Sequence, residues 1–234
     1  MSEPRHVGDL IRVARAVAPL LLLSAIAISA CWFFAGPTMG LAFAGFGIVT
    51  LMVPTGALDR SGTTGSLKQP TQVLLVQVAI VLPVLVAWAC ATVVGAWDGG
   101  ALAGLMVLLV TYASAIAMTA CLLALVVPRA ITSSFMTVVG IAWLAWPIWT
   151  APWMGESSAN RLIAVHPLFA VNRVTGLIPW PQHEVIYGLT RLGQDVPYAL
   201  PSSALGAVGL NVLVIVLALV LQFAARRYVQ RPTR

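Results

Sequence analysis

Histidine and cysteine are the residue types most often used to bind metals or to attack substrates, and the chain contains three of each. The cysteines, Cys31, Cys90 and Cys121, lie in apolar stretches, and none has the C-x-x-C spacing of a metal or redox site. We interpret them as small buried residues. His166 and His183 have no set of carboxylate or cysteine partners, which favours surface or helix-capping roles over metal binding. The sequence therefore predicts neither a metal site nor a cofactor site.

Three motifs that would indicate catalysis or nucleotide binding are incomplete. Residues 62–66 read Gly-Thr-Thr-Gly-Ser but lack the G-x-x-x-x-G-K-[ST] order of a phosphate-binding loop. A zinc protease requires a second histidine after His183 and Glu184, and none follows at the required spacing. A rhomboid-like serine protease requires a histidine within the membrane, and the apolar stretches contain none. We therefore expect that this chain is not an enzyme.

The composition is that of a membrane protein. Hydrophobic residues make up 60% of the 234 residues and charged residues only 9%, whereas soluble domains carry about 25% charge. A transmembrane helix needs about 20 mostly apolar residues. Six stretches approach or reach that length, so the predicted fold is an all-α integral membrane protein with six transmembrane helices. The predicted spans are 17–36, 38–54, 72–96, 101–127, 131–152 and 204–225.

The remaining segments complete a single transmembrane domain over residues 1–234. Apolar residues recur at helical spacing near the start of the chain, which predicts an interfacial helix over 1–16 ahead of helices one to five over 17–152. Residues 153–203 form a long loop with many apolar residues and prolines, and we expect short helices there that lie on or dip into the membrane. The sixth helix, 204–225, leads into a basic tail over 226–234.

The distribution of basic residues predicts the orientation. Of the 13 Lys and Arg residues, only Arg161, Arg173 and Arg191 fall on the side that holds the 153–203 loop. The positive-inside rule therefore places both termini in the cytoplasm of a plasma membrane, the inner membrane if the protein is bacterial. The net charge of +6 is then explained by lipid headgroups and topology, and we expect no nucleic-acid partner. Five tryptophans near the predicted outer ends fit an interfacial belt: Trp32, Trp97, Trp149, Trp153 and Trp180.

The interior of the predicted bundle lacks ionisable groups, since no span contains Asp, Glu, Lys, Arg or His. Proton- and sodium-coupled carriers usually keep such a group at mid-membrane. Pro83 and Pro147 are expected to kink the third and fifth spans. Eight polar residues are expected to form hydrogen bonds between helices, with lining of a polar path as the alternative: Gln72, Gln77, Thr92, Thr111, Ser114, Thr119, Asn211 and Gln222. Four small residues predict close packing of the second span or a subunit interface: Gly36, Gly40, Ala44 and Gly47.

This order of elements resembles the membrane subunit of type-2 ATP-binding-cassette exporters over essentially the whole chain. The cytoplasmic loop 55–71 matches the family's coupling loop, in which an acidic residue precedes a Gly-Thr/Ser-Leu element. Asp59 and the run 65–68, Gly-Ser-Leu-Lys, resemble these two features. After the fifth helix the family often has an Asn-Pro or Ser-Pro step followed by apolar residues, and the run 166–170, His-Pro-Leu-Phe-Ala, is similar.

The resemblance implies a half-transporter without ATPase activity of its own. A second copy of the chain, or a related permease, would complete the export path, and a separate ATPase subunit would dock on the 55–71 loop and the N-terminal helix. By this resemblance, the residues coupled to the ATPase are Asp59, Arg60, Ser66, Leu67, Lys68 and Arg12, and those of an outer-loop gate are His166, Pro167 and Phe169. A non-catalytic membrane scaffold and a secondary transporter of a small amphipathic solute are the alternatives.

Overall fold

The computed structural model describes residues 39–59, 69–149, 155–176 and 198–229. Within these residues the backbone forms seven α-helices and no β-strand. The helices are α1 (Met39–Asp59), α2 (Gln69–Val93), α3 (Gly99–Leu123), α4 (Arg129–Trp149), α5 (Glu156–Val165), α6 (Pro167–Thr175) and α7 (Leu205–Val229).

The described helices are apolar enough for a membrane-embedded protein. Three stretches of the described chain have the length and composition to cross a membrane: Gly99–Leu123, Arg129–Trp146 and Leu205–Ala225. α1 and α2 carry shorter apolar stretches, Leu41–Pro54 and Ile80–Val93. Many large apolar side chains on α2, α3, α4 and α7 are exposed. Such faces are unfavourable in water and are stable against lipid tails.

The turn between α2 and α3 is determined by a glycine and an aspartate. Gly95 has a φ of 83°, and the Ala96 amide donates to the Ala91 carbonyl at 2.9 Å, as in a helix end that closes with a left-handed glycine. The side chain of Asp98 accepts a hydrogen bond from the Ala101 amide at 2.6 Å and caps α3. Because these two residues stop one helix and start the next, both boundaries lie a few residues from the predicted ones.

The predicted cytoplasmic loop 55–71 is shorter in the structure. α1 continues through Pro54 to Asp59, and α2 begins at Gln69. Both ends of the predicted loop are therefore helical, and residues 60–68 lie outside the described part of the chain. Pro54 lies inside the helix and removes one of its hydrogen bonds without ending it. The predicted helices over 1–16 and 17–36 also lie outside the described residues, as does the tail beyond residue 229.

A buried aromatic contact joins α1, α2 and the turn that precedes α3. The indole Nε1 of Trp88, near the end of α2, donates to the Leu41 carbonyl, near the start of α1, at 3.2 Å. These two helices are therefore antiparallel. Trp97 meets Trp88 edge to face, with ring centroids 6.3 Å apart. Trp97 lies in the turn at the helix ends, where the sequence predicts an interfacial belt, and its side chain is buried against Trp88. The side chains of the other four belt tryptophans are not described: Trp32, Trp149, Trp153 and Trp180.

α3 lies at the centre of the bundle and contacts α1, α2, α4, α6 and α7. α7 runs parallel to it. Asn211 Nδ2 donates to the Thr111 hydroxyl at 3.4 Å, and further along both helices Gln222 Nε2 donates to the Met118 carbonyl at 2.9 Å. The starts of α3 and α7 therefore lie at the same end of the bundle.

Two short helices close this end of the bundle. α5 and α6 occupy part of the predicted loop 153–203, and we call residues 155–176 the helix pair. In α5 the buried residues are Ala159 and Ile163, while the first turn, with Glu156, is exposed. In α6 residues 167–172 are all buried. The helix pair therefore packs into the protein in the region where the sequence predicts short helices that lie on or dip into the membrane.

A candidate functional site at the helix pair

The junction of the helix pair is His166, which ends α5 and precedes α6. Its side chain is fully buried, so the predicted surface role is wrong. It occupies the N-cap position of α6, but the imidazole makes no capping hydrogen bond. Nε2 lies 2.9 Å from the Trp143 carbonyl oxygen of α4. A carbonyl only accepts, so Nε2 carries the proton and Nδ1 does not.

Aromatic rings surround this imidazole. The ring centroids of Trp143, Trp146 and Phe169 lie 5.1, 5.8 and 5.5 Å from the His166 ring. Edge-to-face contacts of this kind add to the stabilisation that burial provides. Nδ1 of His166 has no hydrogen-bond partner among the described residues. The ring therefore connects the helix pair to α4 through one hydrogen bond and apolar contacts.

Burial determines the charge of His166. It lowers the pKa of the imidazole from 6.5 to about 4, because a protonated ring would lose its hydration. The backbone carbonyls of Trp143 and Leu144 act in the opposite direction and with less effect. The imidazole is therefore neutral at physiological pH. A proton on the second ring nitrogen would place a charge among apolar rings at the contact between the helix pair and α4.

The other two predicted gate residues, Pro167 and Phe169, lie in the first turn of α6. Pro167 is well suited to the start of a helix, because its missing amide would have no partner there. Phe169 is fully buried between His166 and Tyr198, and its ring centroid lies 5.8 Å from that of Tyr198. Tyr198 belongs to the segment that leads into α7. All three residues that the sequence predicted as a gate are therefore buried.

Comparison of the chain with protein-family models, with curated proteins and with solved structures gave no match. Its function therefore has to be argued from its own residues.

The residues predicted to couple to an ATPase lie elsewhere in the chain. Asp59 is the last residue of α1. The others, Arg60, Ser66, Leu67, Lys68 and Arg12, lie outside the described residues. The start of α1 contacts the end of α2 through Leu41 and Trp88, so Asp59 is at the opposite end of α1. Among the predicted coupling residues, the described one, Asp59, therefore lies away from the end of the bundle that holds the helix pair.

Several polar residues within the helices bond to neighbouring helices, as the sequence predicted. Gln77 Nε2 donates to the Ala113 carbonyl at 3.4 Å, and Gln222 and Asn211 of α7 bond to α3. By contrast, the hydroxyls of Thr92 and Thr119 donate to carbonyls of their own helices. Sequence reasoning missed a further contact between α1 and α3, in which the Thr50 and Tyr112 hydroxyls are 2.8 Å apart. A buried tyrosine usually needs such a partner, and this signal was present in the sequence.

Close packing of α1 involves Gly45, which was not among the residues predicted from the sequence. A Cβ on Gly45 would lie 2.7 Å from side-chain atoms of Trp88 and Val84. Gly47, which the sequence placed in a packed face, has open space beside it. Among the described residues, no group of three or more His, Cys, Asp or Glu side chains is placed to hold a metal ion.

Proposed function

We propose that this chain is the permease subunit of an ATP-binding-cassette exporter. It would cross the plasma membrane six times, with both termini in the cytoplasm, and form half of an export path. A second copy or a related permease would supply the other half, and a separate ATPase subunit would supply the energy.

One observation carries the proposal. The helix pair is built into the end of an apolar helical bundle, where it contacts α1, α3 and α7 and meets α4 through His166. A long re-entrant outer loop between helices five and six is one of the elements in which the sequence resembles this family. A surface loop would show its apolar residues to lipid or water, whereas residues 167–172 are buried. An element packed into the bundle in this way is suited to closing a path between the helices.

The side chains inside the bundle favour transport that is powered by a partner outside the membrane. The described polar side chains Gln77, Thr50 and Tyr112 are engaged in contacts between helices. No ionisable side chain that would hold a coupling proton or sodium ion lies within the predicted spans. This favours an exporter powered by a partner ATPase over an ion-coupled carrier.

Purification with the partner tests the proposal. The tagged chain is isolated in mild detergent, and the bound proteins are identified by mass spectrometry. A stoichiometric ATP-binding-cassette ATPase is the expected result. An intact, monodisperse chain that reproducibly lacks one contradicts the proposal.

We expect the double variant Asp59→Ala with Arg60→Ala to reduce ATPase recovery by about tenfold. The loss of a charged contact at an interface weakens binding by roughly that factor. Membrane insertion should be unchanged. The matched control is Glu156→Ala with Arg161→Ala, which removes the same two kinds of charge from exposed positions of α5. Equal recovery from both double variants would show that the predicted coupling loop does not bind the ATPase.

The predicted orientation is tested by labelling a single cysteine. In a background without Cys31, Cys90 and Cys121, we expect Ser158→Cys, which is exposed on α5, to react with an impermeant maleimide added to intact cells. Leu125→Cys, exposed in the turn between α3 and α4, should react only after the membrane is opened. The reverse pattern would overturn the orientation.

A further inference from the structure

We propose that the helix pair and α7 move together as one body relative to α4, and that this body detaches from α4 at His166. The inference concerns the motion of the chain itself. It does not require the proposed exporter to be correct, although it would give such a protein a moving element at one end of its path.

One contact between the helix pair and α7 is between backbones. A Cβ built on Gly206, in the first turn of α7, would overlap the Ala164 carbonyl near the end of α5. Only glycine lets two helices approach so closely. Since both sides of this contact are main chain, no change of rotamer can release it.

Two further bonds join the helix pair to the segment before α7, and each also uses a backbone group. The Ala199 amide donates to Oδ1 of Asn160 at 2.8 Å. Nε of Arg173 donates to the Ser202 carbonyl at 2.9 Å. Asn160 belongs to α5 and Arg173 belongs to α6. Together with the glycine contact, they hold both helices of the pair to the chain that enters α7.

The contact with α4 is of a different kind. Its described polar component is the hydrogen bond from His166 to the Trp143 carbonyl, and the remainder is ring against ring. Contacts between side-chain rings can separate without breaking backbone contacts, and one side chain controls the hydrogen bond. Of the two boundaries of the helix pair with α7 and with α4, the one with α4 is therefore the weaker.

Distances between spin labels test this difference. In a background without the three native cysteines, one protein carries labels at Ser158 of α5 and Ala142 of α4, and a second carries labels at Ser158 and Val212 of α7. All three positions are exposed. Each pair is measured by electron paramagnetic resonance with histidine at position 166, with His166→Arg and with His166→Gln. Arginine cannot be buried among the rings, whereas glutamine keeps a donor for the Trp143 carbonyl and serves as the control.

We expect His166→Arg to shift the Ser158–Ala142 distance to longer values, beyond the width of the original distribution, and to leave the Ser158–Val212 distance unchanged. His166→Gln should change neither. If His166→Arg is not recovered in folded form, the unsubstituted chain is compared at about pH 7.5 and about pH 4.5, because a detached imidazole is protonated at the lower pH and detachment is therefore favoured there. A joint change in both distances, or no change in either, would overturn the inference. These outcomes are independent of whether an ATPase binds, so they are distinct from failure of the proposed function.

Discussion

Gly206→Ala is expected to lower the free energy of unfolding by about 3 kcal/mol, which is at the upper end of the usual cost of overpacking. The added methyl group would overlap the Ala164 carbonyl. A flexible side chain would yield, but a carbonyl within α5 cannot move without the helix. α7 must therefore shift away from α5, and the contacts between them weaken. Denaturant titration of the purified protein in detergent measures the change.

Gly209→Ala is the matched control, because it makes the same chemical change in the same helix. A Cβ at Gly209 meets nothing within 4 Å. Alanine favours a helix over glycine by about 0.8 to 1 kcal/mol, so this variant should be as stable as the original chain or slightly more so. If Gly206→Ala were equally well tolerated, the close approach of α5 and α7 would not be a feature of the folded protein.

The long helices follow from the sequence because each is an uninterrupted apolar stretch, and this signal does not depend on the rest of the fold. The ends of the helices were less well predicted, although the signals were available. Gly95 and Asp98 stand at the turn between α2 and α3, a glycine where a helix can close and an aspartate where the next can be capped. Hydropathy alone extends the predicted span 72–96 past Gly95.

The burial of His166 could not be derived from the sequence. Its neighbours in the chain, Val165 and Pro167, do not reveal that Trp143, more than 20 positions away, places a carbonyl beside the ring. A lone histidine in a predicted loop is more often exposed, so the surface role was the natural expectation. The carbonyl becomes relevant only after α4 and the helix pair are packed against each other.

The packing partners of the glycines could not be derived from the sequence either. The sequence indicated that α1 has small residues, but the residues they contact belong to other helices. Gly45 faces Trp88, whereas Gly47 has open space. The spacing of small residues along one helix shows which face of that helix they share. It does not show which residues of other helices pack against that face. Gly206 was not singled out at all, since its contact, Ala164, belongs to a loop whose structure the sequence left open.

We expect acid to destabilise the protein through His166. The docked ring has a pKa of about 4, and a solvent-exposed imidazole has one near 6.5. As the pH falls from 6.5 to 4, the detached form takes up a proton and the docked form does not. Stability that is fully present above pH 6.5 is therefore lost as the pH falls, by about 3 kcal/mol in all.

The variant His166→Gln separates this effect from the protonation of carboxyl groups and of the other histidines. Glutamine at position 166 keeps a donor for the Trp143 carbonyl but does not titrate. The described rings packed against His166, those of Trp143 and Trp146 from α4 and of Phe169 from α6, carry no charge that would compensate a proton. The difference in melting temperature between the original chain and His166→Gln should therefore change as the pH falls from about 7 to about 4.5, to the disadvantage of the original chain. A constant difference across this range would mean that the imidazole is already exposed, or that a partner for its second proton is present in the folded protein.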